Sequence, residues 1–159
     1  MWKVWTKRSM ILTKKMQEKV DERIEHLRPG IESKWSLTSI KSNYGTMTAH
    51  EWKTWVMFAS NFCLKDILPE HEYRNWGNFV RACMLMSTPQ VHRKDIERAD
   101  KYFDAYGRGL AQNPQATGDK GYYNTPNLHL HTHLNACIDD FGPVYSFWLF
   151  SYERWANCF

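Results

Sequence analysis

Apolar positions recur along this chain mostly at intervals of three and four, which predicts helices rather than strands. Met16, Val20, Ile24 and Leu27 share one such row, while Lys14, Lys15, Glu18, Lys19, Glu22 and Arg23 occupy the other faces. Pro29-Gly30 stops that helix, and a polar stretch with little periodicity runs from about residue 31 to 47. In "TAHE" (48–51), Thr48 and Glu51 form a capping box, hydroxyl and carboxylate each satisfying an orphan amide. Trp52, Trp55, Val56, Ala59, Phe62 and Cys63 then make one apolar face. Pro69 opens the next helix, whose buried side is assigned to Tyr73, Trp76, Val80 and Cys83. "STPQ" (87–90) is a turn, and Ile96, Ala99, Phe103 and Tyr106 are spaced for a fourth helix. From Gly107 onward, "GRGLAQNPQATGDKGYYNTP" scatters Gly, Pro and Asn and reads as a mobile loop.

No repeat and no alternating strand pattern is visible, so the expected fold class is mainly α, a helical array. Four segments follow from the pattern: a basic helix with a polar linker (1–47), a helical region (48–111), a flexible loop (112–124), and a His-rich helix, turn and second helix (125–159). Composition agrees with a folded chain. A length of 159 residues is one domain's worth, and 43% hydrophobic and 15% aromatic residues, eight tryptophans among them, are too much bulk for disorder. The net charge of +4 is compatible with nucleic acid without arguing for it. Cys63, Cys83, Cys137 and Cys158 are scattered and form no CxxC pair. The first sixteen residues are broken by lysines and an arginine, unlike a secretory leader, and no apolar run approaches a membrane span. The expectation is an intracellular protein with reduced thiols and no membrane partner.

The densest candidate chemistry lies in "TPNLHLHTHLNACIDDFGPVYSFWLFSYERW" (125–155). Thr125-Pro126 makes a good N-cap and first-turn pair. On a helix His129, His133 and Cys137 fall on one row, with His131 elsewhere; on a strand all three histidines share one face. The apolar stripe Leu130, Leu134, Cys137 and Ile138 favours the helix. Two imidazoles one turn apart have the spacing of zinc helices, which makes His129, His133 and Cys137 a candidate zinc set. No glutamate stands between the histidines as it does in the usual zinc helix, so spacing alone favours packing histidines. Asp139 to Pro143 read as a turn, after which Val144, Phe147, Trp148, Ser151 and Trp155 form a helical stripe. On spacing alone, Glu153 is a solvated neighbour of Arg154.

At the other end, Lys3, Lys7, Arg8, Lys14, Lys15, Lys19, Arg23 and Arg28 outnumber Glu18, Asp21, Glu22 and Glu25. Such a face can neutralise phosphates, and Lys7, Arg8, Lys14 and Lys15 are its nucleic-acid candidates; a mixed-sign helix can equally be a solvated surface. Trp52, Trp55, Trp76 and Trp148 fall on helix faces, as core residues do, rather than as base-stacking platforms.

Several segments together resemble a known family. "LKDILPE" (64–70), "NWGNFVRACMLM" (75–86), "DIERADKYF" (95–103), "TPNLHLHTHL" (125–134) and "DFGPVYSFWLFSYERW" (140–155) occur in this order. The set resembles the C-terminal part of CACTA (En/Spm-type) DNA transposases in their fungal form, from about Thr48 onward. The resemblance implies a ribonuclease-H-like core in which two aspartates and a glutamate hold two magnesium ions for phosphodiester transfer. It implies that residues 48 to about 110 are insertion helices and that Glu153, in "SYERW", is the third acid and a magnesium ligand. The region carrying both family aspartates and most core strands has no counterpart in the sequence, and Asp139 and Asp140 do not stand where the family carries them. His50-Glu51 resembles part of a motif at the insertion entrance, with Lys53 where plant relatives place a second histidine. The implied partners are DNA at transposon ends, a full-length transposase or a second copy, in the nucleus. One acid cannot hold two metals, so the chain alone is expected neither to cut nor to join DNA and to need no cofactor.

Overall fold

The computed structural model describes residues 2, 4–8, 10–28, 37–112 and 133–144. It is mainly helical, with no strand among the described residues. A π-turn, Val4–Arg8, precedes α1 (Lys14–Leu27), α2 (Ile40–Asn43) and α3 (Ala49–Thr54). A π-helical segment, Trp55–Ala59, joins α3 to α4 (Ser60–Leu64), and α5 (Glu70–Met86), α6 (Arg93–Ala111) and α7 (Leu134–Phe141) follow. The chain divides into two compact units, Met1–Gly77 and Asn78–Phe159, so the division falls inside α5.

In the first unit α1 forms because Thr13 accepts the Met16 amide at 3.3 Å and Val20 and Ile24 recur one turn apart. Both are fully buried, and each contributes roughly 1.5–3 kcal/mol by leaving water. α1 packs against α2 and α4. The stretch read as a polar linker contains α2, which the periodicity could not reveal because it is four residues long. Its cues are local: Ser39 accepts the Ser42 amide at 3.3 Å and Ile40 is completely buried. Asp21 on α1 accepts the Ser39 hydroxyl at 2.6 Å and the Lys41 amide at 3.4 Å, fastening α2 to α1.

The capping box opens α3 as expected, with Thr48 N donating to the Glu51 carboxylate at 2.8 Å and Glu51 N to Thr48 Oγ1 at 3.3 Å. The apolar face beyond it differs from the expected one. Trp55, Ala59 and Cys63 are buried, but Phe62 is 52% exposed. The π-helical winding between Trp55 and Ala59 is wider than an α-turn, keeping residues four apart in line and moving Phe62 off the row. Ser60 sits at the end of this winding, donating to the Val56 carbonyl at 2.8 Å and accepting from Trp76 Nε1 at 2.9 Å.

The N-terminal tryptophans complete this core. Trp2 meets Trp55 edge-on with ring centroids 6.2 Å apart, and Trp5 meets Trp76 at 5.4 Å. Trp5 Nε1 donates to the buried carboxylate of Glu72 at 3.0 Å.

The second unit is simpler. Ala82, Met86, Ile96, Ala99 and Ile138 form its buried cluster, flanked by Leu85, Tyr102, Phe103 and Leu134. The expected rows of α5 and α6 hold at Trp76, Val80, Ile96, Ala99 and Tyr106, with Tyr73, Cys83 and Phe103 only partly covered. α6 runs on to Ala111, burying Gly107 and Leu110, so the loop expected from Gly107 begins later. The packing surface offered to that face outweighs the low helix propensity of two glycines. Residues 113–124 of the expected loop lie outside the described residues. Asp139, Asp140 and Phe141, expected in a turn, form the last turn of α7, which Gly142 ends at φ 80°, a backbone state glycine adopts without penalty.

Candidate nucleic-acid interface

The candidate interface is a groove in the first unit, built by the return of the N-terminal chain onto α1 and α2. After the π-turn the chain folds back so that the Leu12 amide donates to the Trp5 carbonyl at 3.0 Å. Gln17 Nε2 then donates to the Leu12 carbonyl at 2.9 Å, and Thr6 Oγ1 to the Trp2 carbonyl at 2.9 Å. These bonds hold open a groove of about 460 Å³, within the range of roughly 300–1,000 Å³ common for ligand sites. Trp2, Leu12, Met10 and Tyr44 supply its apolar lining, and Lys7, Lys14 and Lys41 its charge. No carboxylate is among the lining residues.

Each cation is differently placed. The Lys7 ammonium lies over the Tyr44 ring, 5.9 Å from its centroid, an attraction between the charge and the ring quadrupole. Lys41 Nζ lies 3.0 Å from Glu18 Oε1, a largely exposed pair of the kind that contributes about 0–1 kcal/mol and yields readily to another anion. Lys14 opens α1 and is exposed. Met10 stands at the mouth with 73% of its surface exposed and φ at 49°. For a residue bearing a Cβ that left-handed state costs about 1–2 kcal/mol, so the surrounding chain holds it there.

Of the four nucleic-acid candidates from sequence, Lys7 and Lys14 line the groove, Lys15 is exposed beside it on α1, and the Arg8 side chain lies outside the description. Lys41 went unread because it sits in the stretch taken as a linker; only the fastening of α2 by Asp21 brings it here. Two other members of the basic segment serve the fold. Arg23 Nη1 donates to the carbonyls of Phe62 at 3.2 Å and Cys63 at 3.1 Å, and to that of Lys65, capping the end of α4. Arg28 bonds Glu25 at 2.7 Å and the Leu37 carbonyl at 3.2 Å.

The other sequence candidates are spread over the chain. Glu153 and His129 lie outside the described residues. His133, expected inside a helix opened by Thr125, instead sits at the N-cap of α7, which starts at Leu134, and Cys137 lies one turn on, its amide donating to the His133 carbonyl at 3.0 Å. Among the described residues no group of three His, Cys, Asp or Glu side chains is placed to hold a metal. Asp139 pairs with Arg93 at 2.8 Å, and Glu51 is engaged in its capping box. Trp55 and Trp76 are core residues, Trp52 is half-buried, and Trp148 lies outside the description. Burial pushes the thiols of Cys63 and Cys83 up to about 12; at Cys63 the Arg23 charge opposes that rise. Such thiols are protonated and unreactive near neutral pH. Among the described residues no helix is long and apolar enough to cross a membrane. Compared with protein-family models, curated proteins and solved structures, the chain matches none.

Proposed function

We propose that this chain is a helical segment of CACTA-type DNA transposase ancestry that holds nucleic acid and is catalytically incomplete by itself. The observation that carries the ancestry is the order of five motif-like segments between residues 64 and 155, ending on Glu153. The helical build of α3 to α6 agrees with an insertion that separates the second aspartate of such a core from its glutamate helix. Glu153 is then one of three acids. Phosphodiester transfer by two magnesium ions needs several oxygen ligands around them, so this stretch works with the rest of a ribonuclease-H-like core, in the nucleus, on transposon ends. Incubated with magnesium and labelled duplex ends, the purified chain should produce no cleaved or joined strands. Magnesium-dependent strand transfer abolished by Glu153→Gln would overturn the incompleteness.

A second reading, a nucleic-acid-binding module retained from a transposable element, is favoured by one observation: Lys7, Lys14 and Lys41 converge on one groove whose lining has no carboxylate. It predicts DNA binding that weakens with salt, the logarithm of affinity falling by about 0.9 per phosphate neutralised on a duplex. Replacing all three lysines by alanine should cut that slope by two to three such steps. No binding at low salt would remove this reading.

A further inference from the structure

Resting on that nucleic-acid reading, we propose that the groove between the N-terminal loop, α1 and α2 is a single-strand site, one that takes an unstacked base against Tyr44 and Met10 while Lys7, Lys14 and Lys41 hold the flanking phosphates. Charge complementarity selects an anion, since three lysines and no carboxylate line the groove. The apolar lining selects what the anion must carry. A duplex keeps its base faces stacked on one another and meets a protein surface with phosphates and groove edges, so an apolar concavity beneath three lysines would stay unused. A single strand offers phosphates and free π-faces together, the combination that cationic grooves with aromatic surface recognise.

Lys7 couples the two halves of the site. Its ammonium lies 5.9 Å from the centre of the Tyr44 ring, so a phosphate drawn to Lys7 carries its own base to within reach of that ring. Lys41 is held by an exposed carboxylate, Glu18, that a phosphate can replace. Met10, 73% exposed, adds a flexible thioether to the lining. Thr6, Thr13 and Gln17 supply polar edges around the same opening.

The test is fluorescence anisotropy of the full chain with a labelled twelve-nucleotide oligothymidine and with a mixed-sequence duplex of the same length, each over a range of salt. Oligothymidine should bind about tenfold tighter than the duplex, and Tyr44→Ala should remove most of that advantage, since one stacked base is worth about tenfold or more. Tyr44→Phe, which keeps the ring, should retain it, and guards against a variant that fails by misfolding. Replacing Lys7, Lys14 and Lys41 by alanine should flatten the single-strand salt slope by about two units, at roughly 0.7 per phosphate. Equal or tighter duplex binding, untouched by Tyr44→Ala, would overturn the single-strand site and leave nucleic-acid binding standing. Polyglutamate binding as tightly as oligothymidine would overturn it as well, revealing a merely cationic surface. Failure to bind either oligonucleotide at low salt would remove both this site and the reading on which it rests.

Discussion

The two units are stabilised in different ways. The first, Met1–Gly77, threads polar groups through its core: Thr54, Ser60 and Glu72 are buried, and two indoles donate hydrogen bonds, Trp5 to Glu72 and Trp76 to Ser60. In the described part of the second, Ala82, Met86, Ile96, Ala99 and Ile138 form a cluster without polar side-chain atoms apart from a thioether, and Val80, Leu110 and Tyr106, the last with a phenolic hydroxyl, are buried as well. Hydrogen-bonded cores are directional, so each partner fixes where the other lies, and losing one leaves a desolvated group behind. Aliphatic cores tolerate changes that keep volume. The groove lies in the unit with the more directional framework, which is what the proposed site would need to keep three lysines and a ring in register.

The contrast is most strongly tested at Trp5. Trp5→Ala should destabilise the protein by about 3–5 kcal/mol, because a large buried ring is lost. Trp5→Phe keeps much of the ring but removes the indole donor to Glu72, and should still cost about 1.5–3 kcal/mol. Urea unfolding measures both; a Trp5→Phe protein as stable as the parent would show that the buried bond does not matter. Next in size is Arg23→Met, which keeps an apolar stem and removes the donors to the end of α4, for an expected loss of about 1–2 kcal/mol. On the proposed nucleic-acid reading, DNA affinity should be unchanged in that variant, since Arg23 does not line the groove. Smallest should be Ile96→Val in the second unit, at about 0.5–1.5 kcal/mol; a larger loss would mean that this core too is tightly specified.

Cys63 lies in the first unit and Cys83 in the second, which permits a comparison within the same molecule. Cys63 and Cys83, both pushed up to about 12 by burial, should resist a thiol reagent at pH 8 in the folded chain and react quickly in denaturant. Different labelling rates for the two would report which unit opens first. The same groups link stability to pH. Their folded values lie above the ordinary 9.0, so the unfolded chain loses its protons first and stability falls as pH rises through the window from about 9 to about 12. Cys63→Ala should make the decline above about pH 9 shallower in urea melts.

Much of the helical body is legible in the sequence because its signals are local. Thr48 and Glu51 stand three apart and make the capping box wherever the chain folds around them. Val20 and Ile24, and Trp76 and Val80, need only a helical period to fall on one buried face. What went unread depends on partners distant in sequence. Nothing near Trp2 and Trp5 announces core residues; they are core because Trp55 and Trp76 meet their rings. The π-helical winding after Trp55 broke the 3.6-residue arithmetic and turned Phe62 outward. Two of the candidate interface's three lysines were readable, as members of a basic segment, but charge counting could not separate Lys7 and Lys14, which line a groove, from Arg23 and Arg28, which brace the fold.

By itself, then, the sequence determined that this chain is mainly helical, where α1 stops and where α3 and α5 start, and which acids and bases are candidates for chemistry. Periodicity, caps and breakers act over a few residues, so they are written in the order of residues. Only the tertiary structure decided that Asp21 fastens α2 beside α1, that Lys41 thereby joins Lys7 and Lys14, and that Glu72 is buried beneath an indole. Those are encounters between segments roughly twenty to seventy residues apart, and they exist because burying the apolar faces of several helices at once leaves few arrangements in which the buried polar groups also find partners.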